Sequence, residues 1–375
     1  MLLLNDPDHL QPGGKNMKKI AVLGGGNGAH ALAFDMISVG HEVRMFYRNK
    51  NRKIFRTGVF YAAGDVISGP AEPALVTDDL QAAVEGADCI FLVTPAYAHD
   101  NYAHMLKGLL HKDQLLFVFP GAFASLQMRA VWGGEDCPVI IESNNLPYGA
   151  RMPEEDLVEV YNRNPLSIGI MPSERAEEIF GEARKIVHPI ELATLLPDIL
   201  ACGLSLVNPA THPGPCLINA SNIERPNVDF YLYEHGFSPS AAKLMRETDR
   251  ERIALAAALG YDIDPVAEAF HVPHNYSWEE LYKAVHGNIT HTVIAGPNDI
   301  NNRYLTEDAP YGLVPWTAIA QLYGFRMPTA ESIVNLYSVI HGRDWNTEGL
   351  SGKKLGLDGF TPETLREYLR TGKNH

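Results

Sequence analysis

Apolar residues run in short unbroken stretches through the first half of the chain and in spaced helical faces through the second. Lys19-Ile20-Ala21-Val22-Leu23 is a continuous, partly β-branched run ending in glycines, which predicts a buried parallel strand. Residues 29–39 have helical composition and stop at Gly40, a suitable C′ residue, before a second strand over 42–46. Strand, helix and strand within about 30 residues make one βαβ unit with a right-handed crossover. The pattern recurs with a helix at 79–84, a strand at 88–93 ending in Thr94-Pro95, a helix at 97–110, a strand at 114–119 and a strand at 139–141. Such alternation predicts an α/β Rossmann domain with a doubly wound, mostly parallel sheet. From Ser173 onward the spacing predicts helices over 174–187, 192–207, 240–259, 277–285, 314–323 and 329–341, with few strands. The predicted organisation is a flexible leader over 1–16, a dinucleotide-binding domain over 17–187 and an all-α substrate domain over 188–375, divided near His188-Pro189.

Composition narrows the function classes. Charged residues number 31 basic against 45 acidic, a formal charge of −14, which opposes binding to nucleic acid or to an anionic membrane surface. Cys89, Cys137, Cys202 and Cys216 lack C-x-x-C spacing, so neither a metal site nor a disulfide framework is expected. Met1-Leu2-Leu3-Leu4 is soon interrupted by Asp6 and Asp8 and does not read as a secretory signal, and Met17 is a candidate start. With no apolar run long enough to span a bilayer, a cytoplasmic enzyme with reduced thiols is expected, and its helical faces would allow a homodimer.

The turn after the first strand reads Gly24-Gly25-Gly26-Asn27-Gly28-Ala29, a G-x-G-x-x-A pattern between a strand and a helix. Gly24 would permit the tight turn, Gly26 a close approach of backbone to a pyrophosphate, and Ala29 close helix–strand packing. The helix N-terminus supplies free N–H groups and a positive dipole end for the phosphates; a glycine-rich turn without a ligand is the plainer alternative. After the second strand the chain continues Phe46-Tyr47-Arg48-Asn49-Lys50-Asn51-Arg52 with no acid to accept from ribose hydroxyls. Arg48, assisted by Lys50 and Arg52, suits a 2′-phosphate, which favours NADP(H) over NAD(H). A basic loop facing solvent is the alternative.

His212 precedes Pro213, which pushes it away from helical geometry, so the chain is expected to break there. A break would free the ring as a proton carrier and leave Asn208 one turn earlier on the same face. A helix-capping histidine is the bland reading. In the segment 303–312, Arg303 offers a planar fork for a substrate carboxylate and Asp308 could fix the tautomer of a histidine; a salt-bridged surface loop would look the same.

The N-x-x-x-H-P segment over 208–213, the R-Y-x-x-E-D-x-P segment over 303–310 and the stretch Glu142-Ser143-Asn144-Asn145-Leu146-Pro147-Tyr148-Gly149-Ala150-Arg151 together resemble the octopine/nopaline (opine) dehydrogenase family across nearly the whole chain from Met17. The resemblance implies reductive condensation of an amino acid with a 2-oxo acid, using NAD(P)H, and the reverse oxidation. It implies that His212 is the acid/base, polarised by Asp308, with Asn208 beside it, and that Arg303 binds a carboxylate. Thr94 and Pro95 would form the loop on the nicotinamide side, and Ser143, standing where many relatives carry Thr, would touch substrate. The expected partners are the two small-molecule substrates.

The residues agree chemically with that implication. The imine carbon must come within about 3–3.5 Å of the nicotinamide C4, and an acid/base must manage protons through condensation. Two carboxylate substrates on an acidic protein need local positive charge, which Arg303 supplies, and the carboxyl ends of the sheet predict a site in the cleft between domains. The rivals are a related two-domain dehydrogenase of 2-hydroxy acids, ketopantoate or glycerol phosphate, and a non-catalytic dinucleotide-sensing protein. Residues 192–207 hold no lysine to serve as acid/base for the former, and His212, Arg303 and Asp308 argue against the latter.

Overall fold

The computed structural model describes residues 17–133, 137–227, 229–287 and 295–373; the expected leader over 1–16 lies outside them. The chain forms two compact units. The first holds Met1–Thr94, Ala98–Gly121 and Val131–Leu196, and the second holds Pro95–Tyr97, Ala122–Ala130 and Pro197–His375.

In the first unit the strands are β1 (Lys19–Leu23), β2 (Glu42–Phe46), β3 (Phe60–Ala63), β4 (Gly69–Ala71), β5 (Leu75–Thr77), β6 (Cys89–Leu92), β7 (Leu115–Val118), β8 (Val139–Ser143), β9 (Tyr148–Glu154), β10 (Leu157–Arg163), β11 (Ser167–Met171) and β12 (Thr194–Leu195). Eight of them form a sheet in the order β12-β11-β8-β7-β6-β1-β2-β5, with β1 at the point where the winding reverses. All its pairings are parallel except β11 with β8. Ile20, Ala21, Val22 and Leu23 are fully buried, as the unbroken apolar run requires of a strand covered on both faces. A second sheet, β4-β3-β10-β9, packs on the helix Asn27–Ser38 that follows β1. This sheet is absent from the expectation above, because β3 and β4 are short and β9 and β10, though longer, lie among loop-like, mostly polar residues.

The helix Asn27–Ser38 is held in this unit by a buried polar cluster. Asp35 accepts from the Tyr148 hydroxyl, from Arg163 Nη2 at 3.2 Å, and lies 3.5 Å from His188 Nδ1. Burial alone would raise the Asp35 carboxyl, but the hydrogen bonds from His188 and Tyr148 and the charge of Arg163 outweigh it and hold the group below its ordinary value.

The second unit is helical and is built around Pro239–Leu259, with Ser238 as N-cap and Gly260 left-handed at its end. Against it pack Asn208–Thr211, Pro213–Ile218, Trp278–Gly287 and Pro328–His341. Its buried Arg252 binds Asp249 at 2.6 Å and donates to the carbonyls of Leu204 and Asp264, while Asp249 also accepts from Tyr276. Helix Pro328–His341 lacks a cap of its own, and Glu251 accepts its first N–H groups from Thr329 and Ala330.

Two boundaries differ from the expectation. The helix expected over 192–207 is instead strand β12, then helix Ile199–Leu204, then a separate helix Asn208–Thr211. Pro197 disfavours helical geometry at Leu196, and Asp198 starts a new helix by accepting from the N–H groups of Leu200 and Ala201. The units accordingly divide at Leu196–Pro197 rather than near His188, because 188–196 complete the sheet of the first unit.

Candidate active site

The glycine turn has the shape its sequence implies. A Cβ on Gly24 would stand 2.4 Å from the Val93 carbonyl oxygen, at a φ of +143°, so only glycine fits. At Gly26 a Cβ would meet nothing within 4 Å, which leaves the backbone at the helix start open to a ligand. Gly26 is the N-cap, no side chain caps the helix, and its first turn carries no acid. Free N–H groups, a positive dipole end and open space fit a pyrophosphate. Gly28 and Ala29 are buried, with Gly28 against Leu146 and Val93. The Asn27 amide is turned inward and donates to the Ala150 carbonyl at 3.1 Å.

Behind the turn, His30 Nδ1 lies 3.0 Å from the Gly26 carbonyl oxygen and its Nε2 lies 3.1 Å from the Tyr47 hydroxyl. Burial lowers the His30 imidazole to about 4, so it is neutral there. Arg48 is exposed at the end of β2. Arg52, given only a supporting part by the sequence, lies at the turn itself. It donates to the Gly25 carbonyl, covers the Tyr47 ring and pairs with Glu155 at 3.0 Å.

In the second unit, His212 and Asp308 meet although 96 residues separate them: Nδ1 lies 2.7 Å from Oδ2. The neighbouring elements explain the approach. A Cβ on Gly312 would stand 2.2 Å from Pro209 Cγ, so the π-helical turn Ala309–Leu313 after Asp308 lies directly on the segment before His212. Tyr337 donates to the Pro213 carbonyl at 2.7 Å and pins the segment after it. His212 is 6% exposed, and Tyr304 stacks on its ring at 4.0 Å and 7°. Its Nε2 lies 3.0 Å from the Tyr233 hydroxyl.

The helix breaks at His212 as expected, ending at Thr211 and resuming at Pro213, although the residue itself is not extended. It keeps right-handed helical angles, φ −96° and ψ −51°, and joins helix Asn208–Thr211 to Pro213–Ile218. The residue keeps these angles despite the following proline because Cys216 N–H donates to the His212 carbonyl and His212 N–H to that of Asn208. The ring is therefore presented at a junction between two short helices. Asn208 is exposed one turn earlier.

Arg303 is largely exposed and lies 3.6 Å from Glu307, not at His212. Glu307 is a site residue that the sequence reading did not single out. It accepts from the Ala96 N–H at 2.9 Å, so the loop Pro95–Tyr97 is tied to the Arg303–Asp308 segment. Burial, and then the Asp308 charge, push the Glu307 carboxyl up, against the pull of Arg303 and the Ala96 N–H. Thr94 Oγ1 is buried without a hydrogen-bond partner, and Thr94 O lies 3.3 Å from His99 Nε2. Ser143 is fully buried with its hydroxyl donated to Asn145 O at 2.6 Å, so it is not displayed to a ligand in this state. Tyr233 was missed for want of any local signal. Among the described residues no group of three or more His, Cys, Asp or Glu could hold a metal ion, and no helix is long and apolar enough to cross a membrane.

A Rossmann unit with an open glycine turn, followed by a helical unit carrying a carboxylate-oriented histidine, defines a two-unit dinucleotide-dependent dehydrogenase. Residues 195–341 match the family described as NAD/NADP octopine/nopaline dehydrogenase, alpha-helical domain, and residues 19–120 match the NAD-dependent glycerol-3-phosphate dehydrogenase N-terminus. The opine dehydrogenase of Arthrobacter sp. (strain 1C) is 30% identical over 358 residues, 94% of this chain and 99% of its own length. The chain belongs to the opine dehydrogenase family. The octopine dehydrogenase of Pecten maximus is 26% identical over 383 residues, 90% of this chain and 94% of its own. A structure of octopine dehydrogenase in complex with NADH and agmatine shares the fold with a TM-score of 0.76 at 21% identity, covering 96% of this chain and 99% of that one. Yersinopine dehydrogenase with NADP+ bound has a TM-score of 0.70 at 14% identity, covering 94% and 98%.

Proposed function

We propose that the protein condenses an amino acid with a 2-oxo acid and reduces the product with NAD(P)H, and that it runs the reverse oxidation of the resulting secondary amine. The observation that carries this reading is the 2.7 Å contact of His212 Nδ1 with Asp308. A carboxylate there holds the Nδ1 proton, so the neutral imidazole keeps its lone pair at Nε2, oriented to take and return a proton. The nicotinamide supplies the hydride that reduces the imine carbon. His212 takes the proton that the amino group sheds as it attacks the carbonyl and returns one as water leaves. Arg303, exposed and 3.6 Å from Glu307, can offer its guanidinium to a substrate carboxylate. Gly24, Gly26, Gly28 and Ala29 shape the pyrophosphate seat, Asn27 braces it through Ala150, and Thr94 and Pro95, just after β6, would form the loop on the nicotinamide side. Ser143 would reach substrate only by giving up its bond to Asn145.

NADP(H) is the favoured cofactor in this reading, because 46–52 carry no carboxylate and Arg48 is exposed where a 2′-phosphate would stand. Arg48→Glu is expected to weaken NADPH about tenfold or more relative to NADH, the loss of a charge-assisted contact worth roughly 1.5–3 kcal/mol. An unchanged cofactor preference would discard the clamp. Among the described residues no disulfide joins the cysteines, which suits a reducing cytoplasm. The reaction itself is tested by crossing a panel of 2-oxo acids with amino acids and following NADPH and NADH oxidation. Oxidation only when both substrates are present supports condensation; oxidation with a 2-oxo acid alone would make the protein a hydroxy-acid dehydrogenase. His212→Ala is expected to abolish turnover with cofactor binding retained.

A further inference from the structure

We propose that Tyr233 is a second catalytic residue, the group through which protons pass between His212 and the substrate. The inference rests on the reading of His212 as acid/base and follows from what surrounds the ring. Nδ1 is committed to Asp308 at 2.7 Å, and one ring face is covered by Tyr304 at 4.0 Å. The remaining nitrogen, Nε2, carries the lone pair that the chemistry needs, and it meets the Tyr233 hydroxyl at 3.0 Å. With Nδ1 protonated against a carboxylate, the hydrogen of that bond belongs to Tyr233, which donates to Nε2. Both residues are 6% exposed. A proton entering or leaving His212 therefore has the Tyr233 oxygen as its neighbour.

The local structure holds the phenol there. Tyr233 lies in the π-helical turn Leu232–Gly236, a geometry that re-aims side chains and recurs at functional sites. Gly236 is closed in by the Phe230 ring, where a Cβ would stand 2.6 Å from Cζ, and its carbonyl accepts from Asn219 at 2.8 Å. Thr211, adjacent to His212, donates its hydroxyl to the Asn208 carbonyl at 3.1 Å. The titratable groups around the pair are Asp308, Tyr304, Cys216 and, farther out, Glu307. Burial raises the phenol far above its ordinary value, so a free phenolate is not an intermediate, and the oxygen must give up one proton as it takes another.

The step balances without an added reactant. The amino group arrives as an ammonium; as it attacks the 2-oxo carbon, one of its protons goes to the Tyr233 oxygen while the Tyr233 proton goes to Nε2, leaving imidazolium, and a second passes from the nitrogen to the new alkoxide. As the carbinolamine C–O bond breaks, the departing hydroxyl takes the Tyr233 proton, and Tyr233 takes the Nε2 proton. The nitrogen lone pair forms the C=N bond of a protonated imine, water leaves, and the imidazole is neutral again.

The test is Tyr233→Phe in the full chain, compared with His212→Ala, in the two-substrate assay with whichever pair the substrate panel identifies as active. The expected result is a fall in kcat of about 10²-fold, the scale of acid–base catalysis, with KM and cofactor binding near parental. The solvent isotope effect should also change from a two-proton to a one-proton dependence on deuterium fraction. A kcat within about twofold of the parent would overturn the relay, as would a comparable loss with the isotope dependence unchanged, which marks a structural role. Should the phenylalanine variant not fold, 3,5-difluorotyrosine at position 233 keeps shape and hydroxyl but makes the phenol more acidic. A shifted pH profile of kcat then supports the relay, and an unshifted one overturns it. If His212→Ala itself turns over normally, the acid/base reading fails, whereas a dead His212→Ala with a fully active Tyr233→Phe sinks the relay alone.

Discussion

His212 owes its chemical character to a partner 96 residues away. Asn at position 308 would preserve the size of the group but could present an N–H to Nδ1 and so favour the wrong tautomer. Asp308→Asn is expected to lower kcat about 10²- to 10³-fold with little change in KM; steady-state kinetics with saturating cofactor would show it, and an unaltered kcat would remove Asp308 from the mechanism. Both partners were legible as candidates, one from the proline after it and the other from an acid in a turn flanked by an arginine. Tyr233 carried no such mark. A phenol in a stretch of mixed residues says nothing until folding sets it against an imidazole. Similarly Arg48 is the arginine that the loop advertises, yet Arg52 is the one that reaches the Gly25 carbonyl.

Elements are placed by contacts that tolerate little. Gly312→Ala would put a methyl group into Pro209, with the nearest atom at 2.2 Å. The turn after Asp308 would have to shift, costing roughly 1–3 kcal/mol and pulling the carboxylate from His212. A drop in kcat alongside a lower melting temperature is expected, and a fully active variant would show that the turn does not position Asp308. The long amphipathic helices were read to within a few residues because their period is local: 240–259 was expected and Pro239–Leu259 is observed. The four-stranded second sheet was not, since β3 and β4 have four and three residues and make sense only beside β9 and β10.

Stability of the molecule should respond to acid through buried, neutral imidazoles. Burial lowers His30 and His99 to about 4 from an ordinary 6.5. Between these values the unfolded chain binds protons that the folded one refuses, so stability falls as pH drops from 6.5 towards 4. The loss is on the order of 3 kcal/mol for each group. Asp35, held low, adds a contribution present above the ordinary carboxylate value and lost only as pH falls through its lowered native value. Urea melts across this range would show the decline. A His30→Gln variant should show less of it, and an identical pH slope in that variant would contradict the assignment. In the helical unit Arg252→Met is expected to cost roughly 3–5 kcal/mol by leaving Asp249 buried and unpaired.

Much of the protein is written in short-range pattern. Apolar runs and their periods, the glycine turn with its free helix end, and the residue types needed for proton transfer and carboxylate binding all express constraints that act within a few residues. Pairing across long stretches of chain obeys no such period. Packing alone decided that Asp308 rather than Glu307 meets His212, that Tyr233 covers the free ring nitrogen, that the first unit extends to Leu196, and that Ser143 spends its hydroxyl on its own loop. Each of these depends on which surfaces fit together once water is expelled, and that selection is made by the whole fold at once.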